Sequence, residues 1–184
     1  SARPAARAGR MSEVPPTMSE PLDLKIVNAV GPRGLPLPEI AIRHGYIVDP
    51  SDQNGTEAHE TIDAQGSLVT PALVEPHIHL DAVLTVGQPR YNRTGSLFEG
   101  IAIWGERVKD LTVEDVKQRV RTVLRWQIAN GVLFVRSHVD VCDPELTALR
   151  ALVELREEVA DQITLQLVAF PQQGILSFQD GESL

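Results

Sequence analysis

Cysteine is almost absent. A single residue, Cys142, among 184 rules out an intrachain disulfide framework and is compatible with a reducing compartment. Positive charge is in deficit: 17 Lys and Arg against 25 Asp and Glu leave a formal net charge of −8. A general binder of polyanions or anionic membranes needs the opposite balance, so neither nucleic acid nor membrane is expected as a partner. No window approaches the roughly 18 consecutive apolar residues of a membrane-spanning helix. The expected location is cytoplasmic. No glycine-rich phosphate loop follows any expected strand, which weakens a nucleotide-binding reading. What is present is 42% apolar residues, enough for a globular core.

The chain reads in three parts. Residues 1–21 have no hydrophobic period and are rich in Ala, Arg, Pro and Ser, which predicts a disordered tail. Their first ten residues carry Arg and no acid, faintly like a transit peptide; the plainer reading is upstream sequence before a start at Met11 or Met18. Residues 22–70 read as β structure, with short apolar runs, a hairpin turn at His44-Gly45 and a turn at Gln65-Gly66. Too few strands occur there to close a barrel, but enough for part of a small sandwich. Residues 71–184 alternate strand and helix. Thr112 is a fitting N-cap, Val116, Val120, Val123, Leu124 and Ile128 share a helix face, and Gly131 ends that helix. VLFVRSHVDV reads as a strand buried on both faces. Asp143-Pro144 reads as the cap and first residue of the next helix, with Leu146, Leu149, Leu152, Val153 and Val159 as its buried stripe. ITLQLVAF is a third strand. The resulting βαβαβ order implies an α/β class with parallel strands and right-handed crossovers. It fits an open doubly wound sheet or an unfinished (β/α)8 barrel, and the second makes this a truncated chain.

His77-Ile78-His79 is the sharpest chemical feature. Residues i and i+2 of a strand point to one face, so both imidazoles can approach one cation. They close an apolar run at the C-terminal end of the first parallel strand, where α/β folds build their sites. Two ligands fall short of a complete zinc-type set, so two ordinary histidines remain the alternative. His138 and Asp140 share a face at the end of the second strand by the same spacing. They could form a second metal motif; a supporting role is preferred. Asp81 reads as a turn-capping acid, Cys142 as a small buried residue, Trp104 and Trp126 as packing, and Glu99 and Glu106 as helix-face acids.

VTPALVEPHIHLD resembles the first-strand motif of the amidohydrolase superfamily. GQPRYNRTGSLFEGI, RWQIANGV, VRSHVDV and LVAFPQQGI resemble segments of its bacterial cytosine deaminase branch, in the same order. The resemblance implies the first three strands of a (β/α)8 TIM-like barrel, preceded by part of a small β-sandwich. It implies a divalent metal, iron or zinc, and hydrolytic deamination of cytosine or a related pyrimidine. By position, His77 and His79 match the metal ligands. Gln172 matches a glutamine that reads the pyrimidine edge, a task suited to a carboxamide with both donor and acceptor. Leu97 matches a residue whose backbone carbonyl faces the substrate; a plain packing leucine is the alternative. Gln173 stands where members of the branch carry an acid. The remaining ligands and the catalytic glutamate of the family come from later strands, so no catalytic residue is assigned in this chain. The partners expected are a small nucleobase-like substrate and either further copies of the chain or a missing C-terminal half. Two alternatives stand: a relative acting on another amino-substituted ring of triazine, isocytosine or creatinine type, and a non-catalytic fragment.

Overall fold

A computed structural model describes residues 20–49 and 57–174. Residues 1–19 of the expected tail and residues 175–184 lie outside the described residues. The chain divides into two compact units between Pro71 and Ala72.

The first unit is a four-stranded sheet. Strands β1 (Leu22–Val27), β2 (Ile40–Arg43), β3 (Tyr46–Val48) and β4 (Ala58–Asp63) lie in the order β3-β2-β1-β4. β2 and β3 form the expected hairpin. His44 and Gly45 both take positive φ, 51° and 75°, the conformation of a two-residue turn whose twist matches that of the strands. β1 runs antiparallel to β2 but parallel to β4. The expected turn at Gln65-Gly66 also takes positive φ at both residues.

Among the described residues the second unit holds a parallel sheet, three α-helices and a short 3-10 helix at Val108–Asp110. Strands β5 (Leu73–Ile78), β6 (Val132–Asp140) and β7 (Thr164–Phe170) lie side by side in chain order, all parallel. Helix α1 (Leu97–Arg107) and α2 (Val113–Ala129) separate β5 from β6, and α3 (Thr147–Glu158) separates β6 from β7. Thr112 caps α2 by accepting the Asp115 N–H, and Gly131 follows it with φ 79°. Val116, Val120 and Leu124 of α2 and Ala148, Ala151, Leu152 and Leu155 of α3 pack with Val135, Val139 and Leu165 of the sheet into one core. Burying each large aliphatic side chain stabilises the fold by about 1.5–3 kcal/mol. No helix among the described residues is long and apolar enough to cross a membrane.

Three expectations are corrected here. β6 is not buried on both faces: Val135, Ser137 and Val139 face the helices, while Phe134 on the opposite face is 48% exposed. No element among the described residues covers Phe134 and its neighbour Val74, and a cavity of about 130 Å³ lies beside them. The helix after β6 does not begin at Pro144. The Asp143 carboxylate folds a turn by accepting the Glu145 N–H and also accepts the Thr147 N–H, so α3 starts at Thr147 after Leu146 in a left-handed conformation. Its buried stripe runs through Ala148, Ala151, Leu152 and Leu155, with the expected Leu149 and Val159 packed partly buried against the core, and Val153 points outward. Trp126 is not a packing residue either: it lies near the end of α2 and is 55% exposed.

Candidate metal and substrate site

β5 is not a regular strand where its histidines lie. Glu75 pairs with Val135 and Ile78 with Ser137, so Pro76 and His77 together stand opposite Arg136 alone. This is a bulge, a place where proline, which cannot donate to the ladder, is tolerated. The Glu75 carboxylate accepts the His77 N–H at 3.0 Å. The bulge also resets the alternation of side chains. Ile78 keeps to the helix side with Ser137, and His77 and His79 come to the opposite, open face. Their rings lie 5.5 Å apart, tilted by 54°.

His138 of β6 joins them. Its ring stacks on that of His77 at 4.0 Å and lies 5.9 Å from that of His79. Phe170, at the end of β7, meets His79 and His138 edge-on. Burial, then the neighbouring His77, holds the His79 pKa below its ordinary value. Desolvation, then His77, His79 and Arg136, does the same for His138. Both imidazoles therefore favour the neutral form, which is the form that binds metals. The His138 Nδ1 is buried without a partner. As a donor set, His77 and His79 fit part of a divalent site. Among the described residues no group of three or more His, Cys, Asp or Glu side chains is arranged to hold a metal ion.

Asp140 is almost fully buried, and among the described residues none of its hydrogen bonds goes to an imidazole. Its Oδ2 accepts from Trp104 Nε1 at 2.7 Å. Its Oδ1 accepts from the backbone N–H of Cys142 at 2.9 Å and of Gln172 at 3.3 Å. Its own N–H donates to Asp81 Oδ2 at 2.8 Å. Asp81 is thus more than a local cap. Its carboxyl accepts the Ala82 N–H and also ties the end of β5 to the end of β6, and burial pushes its pKa up to about 6. The segment after β5 is anchored further by Arg119 of α2, whose Nη1 donates to the carbonyls of Asp81 (2.9 Å) and Val83 (2.6 Å). Sequence reasoning assigned no role to Arg119 and only packing to Trp104. An arginine within the mostly apolar buried side of α2, where Lys117 is the other buried cation, was the available signal.

Gln172 is half-buried in the loop after β7 and joins this network through its backbone. Leu97 opens α1 and is 72% exposed among the described residues. Glu99 and Glu106 are not idle helix-face acids. Arg90 bridges both, and Thr94 donates to Glu99 from its N–H and hydroxyl. Those Thr94 hydrogen bonds are the main cause that pulls Glu99 down to about 2. Cys142 is half-buried, and burial raises its thiol pKa, the opposite of an activated nucleophile.

Residues 60–183 match the model of the Amidohydrolase family. The chain is similar to 5-methylcytosine deaminase from Klebsiella pneumoniae, solved with 5-fluorocytosine bound. The identity is 43% and the TM-score 0.71, covering 86% of this chain and 39% of that one. It is 32% identical to N-isopropylammelide isopropyl amidohydrolase of Pseudomonas sp. strain ADP, over 91% of this chain and 43% of that protein. It is 30% identical to pterin deaminase of Rhizobium rhizogenes, over 79% and 35% respectively. The chain thus spans about two-fifths of the length of these proteins.

Proposed function

The chain belongs to the amidohydrolase family, and on that premise we propose that it forms the N-terminal part of a metal-dependent hydrolase that removes the amino group of cytosine or a related pyrimidine. The three parallel strands are then the first three of a (β/α)8 barrel, and the four-stranded sheet is part of a small β-sandwich. The observation that carries the reading is the pair of His77 and His79 rings on the open face of a parallel-strand end. The similarity to a solved 5-methylcytosine deaminase supports the substrate class.

His77 and His79 would hold iron or zinc. Such a metal, when bound, lowers the pKa of its water toward about 7. His138 packs against His77 and limits its rotation. The Gln172 carboxamide offers a donor and an acceptor to the N–C=O edge of the ring. The Leu97 carbonyl, at the start of α1, faces the substrate. In the reaction, water oxygen bonds to the ring carbon and the exocyclic C–N bond breaks; one water proton leaves with the amino group as ammonia and the other ends on the adjacent ring nitrogen. No residue of this chain is assigned as the proton shuttle, so the 184 residues alone are expected to show no turnover. Coverage of the open face, by later strands or by another copy, would complete the site.

Ammonia release by the complete, metal-loaded protein tests the reading with cytosine, 5-methylcytosine and isocytosine. Release from cytosine or 5-methylcytosine is expected. Release of isopropylamine from N-isopropylammelide instead would establish the second reading, which the 32% identity to the Pseudomonas protein favours.

A further inference from the structure

We infer that Asp140 is a positioning residue for the loop that reads the substrate, and not for the metal-holding histidines. The inference rests on the proposed reading of Gln172. Every oxygen of the buried Asp140 carboxylate is occupied, by the Trp104 indole on one side and by the Cys142 and Gln172 backbone on the other. None of these partners is an imidazole. Three segments distant in sequence therefore share one carboxylate: α1, which begins at Leu97; the turn after β6; and the loop after β7. Two further contacts run along the same seam. Val141 N–H donates to the Phe170 carbonyl at 3.2 Å, and Gln173 N–H meets Cys142 Sγ at 3.5 Å. Gln173 also lies over α1 at Gly105, where a Cβ would come within 2.9 Å of its amide nitrogen. The two elements that carry Leu97 and Gln172 are thus fastened to a common point. The histidines sit beside that point: His77 is oriented by the bulge in β5 and its stack on His138, and His79 by a hydrogen bond with the His138 backbone, with Asp140 acting on it through charge alone.

Replacing Asp140 by Asn separates the two roles, because an amide keeps one acceptor and turns an N–H₂ toward the other partner. If the oxygen stays with the backbone, the amide meets the Trp104 N–H. If it turns to Trp104, Gln172 loses its acceptor. In the complete zinc-loaded protein with cytosine as the probe, D140N is expected to raise KM about tenfold or more, the loss typical of a hydrogen bond to a charged group. Its metal content should equal that of the wild type, and kcat should change less than KM. The double variant D140N/W104F removes the opposing N–H, and KM should return toward that of W104F alone. Amide exchange in a peptide over residues 170–174 should quicken in D140N and slow again in the double variant. Loss of metal in step with KM would overturn the inference and put Asp140 with the histidines. So would unchanged exchange at 170–174, whatever the substrate. Wild-type protein that releases no ammonia from any base would instead sink the deaminase reading.

Discussion

Arg119 offers a direct test of what holds the segment carrying His79. Arg119 is 9% exposed, and its guanidinium makes two kinds of contact. Nη1 donates to the Asp81 and Val83 carbonyls, and Nε and Nη2 donate to Asp115. Arg119→Met keeps most of the aliphatic stem and removes all of these. The Asp81 carbonyl belongs to a buried residue, so its loss counts as a full charge-assisted bond, about 1.5–3 kcal/mol. Val83 is only partly buried and water can replace its donor, which leaves about 0.5–1 kcal/mol. Asp115 is a third exposed and retains Arg107 as a partner, so its loss contributes at most about 0.5 kcal/mol. The sum, about 3 kcal/mol, corresponds to about a hundredfold increase in local opening. Hydrogen exchange measured on a peptide over residues 80–86 reads that opening directly. Arg119→Lys should recover part of the protection, since an ammonium can still reach one carbonyl. An exchange rate within threefold of wild type in R119M would refute the reasoning and show that the segment is held by other contacts.

His77→Ala or His79→Ala should each reduce the metal content of the complete protein at least tenfold, measured by elemental analysis after dialysis, because each removes one of the two imidazoles proposed to hold the metal. Glu99 has a depressed pKa, so the support it gives to the segment around Arg90 and Thr94 is present above the ordinary carboxylate range and is lost only as pH falls toward about 2. Carbon-13 NMR of the Glu99 carboxyl should therefore show a titration well below the ordinary glutamate value, and a midpoint near 4.5 would contradict the Thr94 contacts. Burial raises the Cys142 thiol pKa, so iodoacetamide at pH 8 should alkylate it more slowly than free cysteine; equal rates would place the thiol in a more open setting.

Much of the second unit was legible because it obeys local rules. Thr112 and Gly131 mark the ends of α2, since a cap hydroxyl and a left-handed glycine act within one turn. His44 and Gly45 declare their hairpin for the same reason. The His77-Ile78-His79 motif was legible as a pair sharing a face, but the face itself was set by the bulge at Pro76. Counting alternate residues from Val74 would have turned both rings toward the helices. Asp143 misled because its carboxylate serves a turn and a helix at once. Trp104, Arg119 and Asp81 escaped because their partners lie 36 or more residues away, and no periodicity encodes such a meeting. VLFVRSHVDV reads as doubly buried because its apolar pattern anticipates a second layer, which the described residues do not provide.

The stack of His77 on His138 gives this centre an internal spectroscopic reporter. A ring plane 4.0 Å above another displaces the proton resonances of its neighbour through its ring current. A diamagnetic cation that drew His77 toward itself would change that overlap. The carbon-bound protons of His138 would then shift in step with loading of the site proposed at His77 and His79, so occupancy could be followed with neither a chromophore nor turnover.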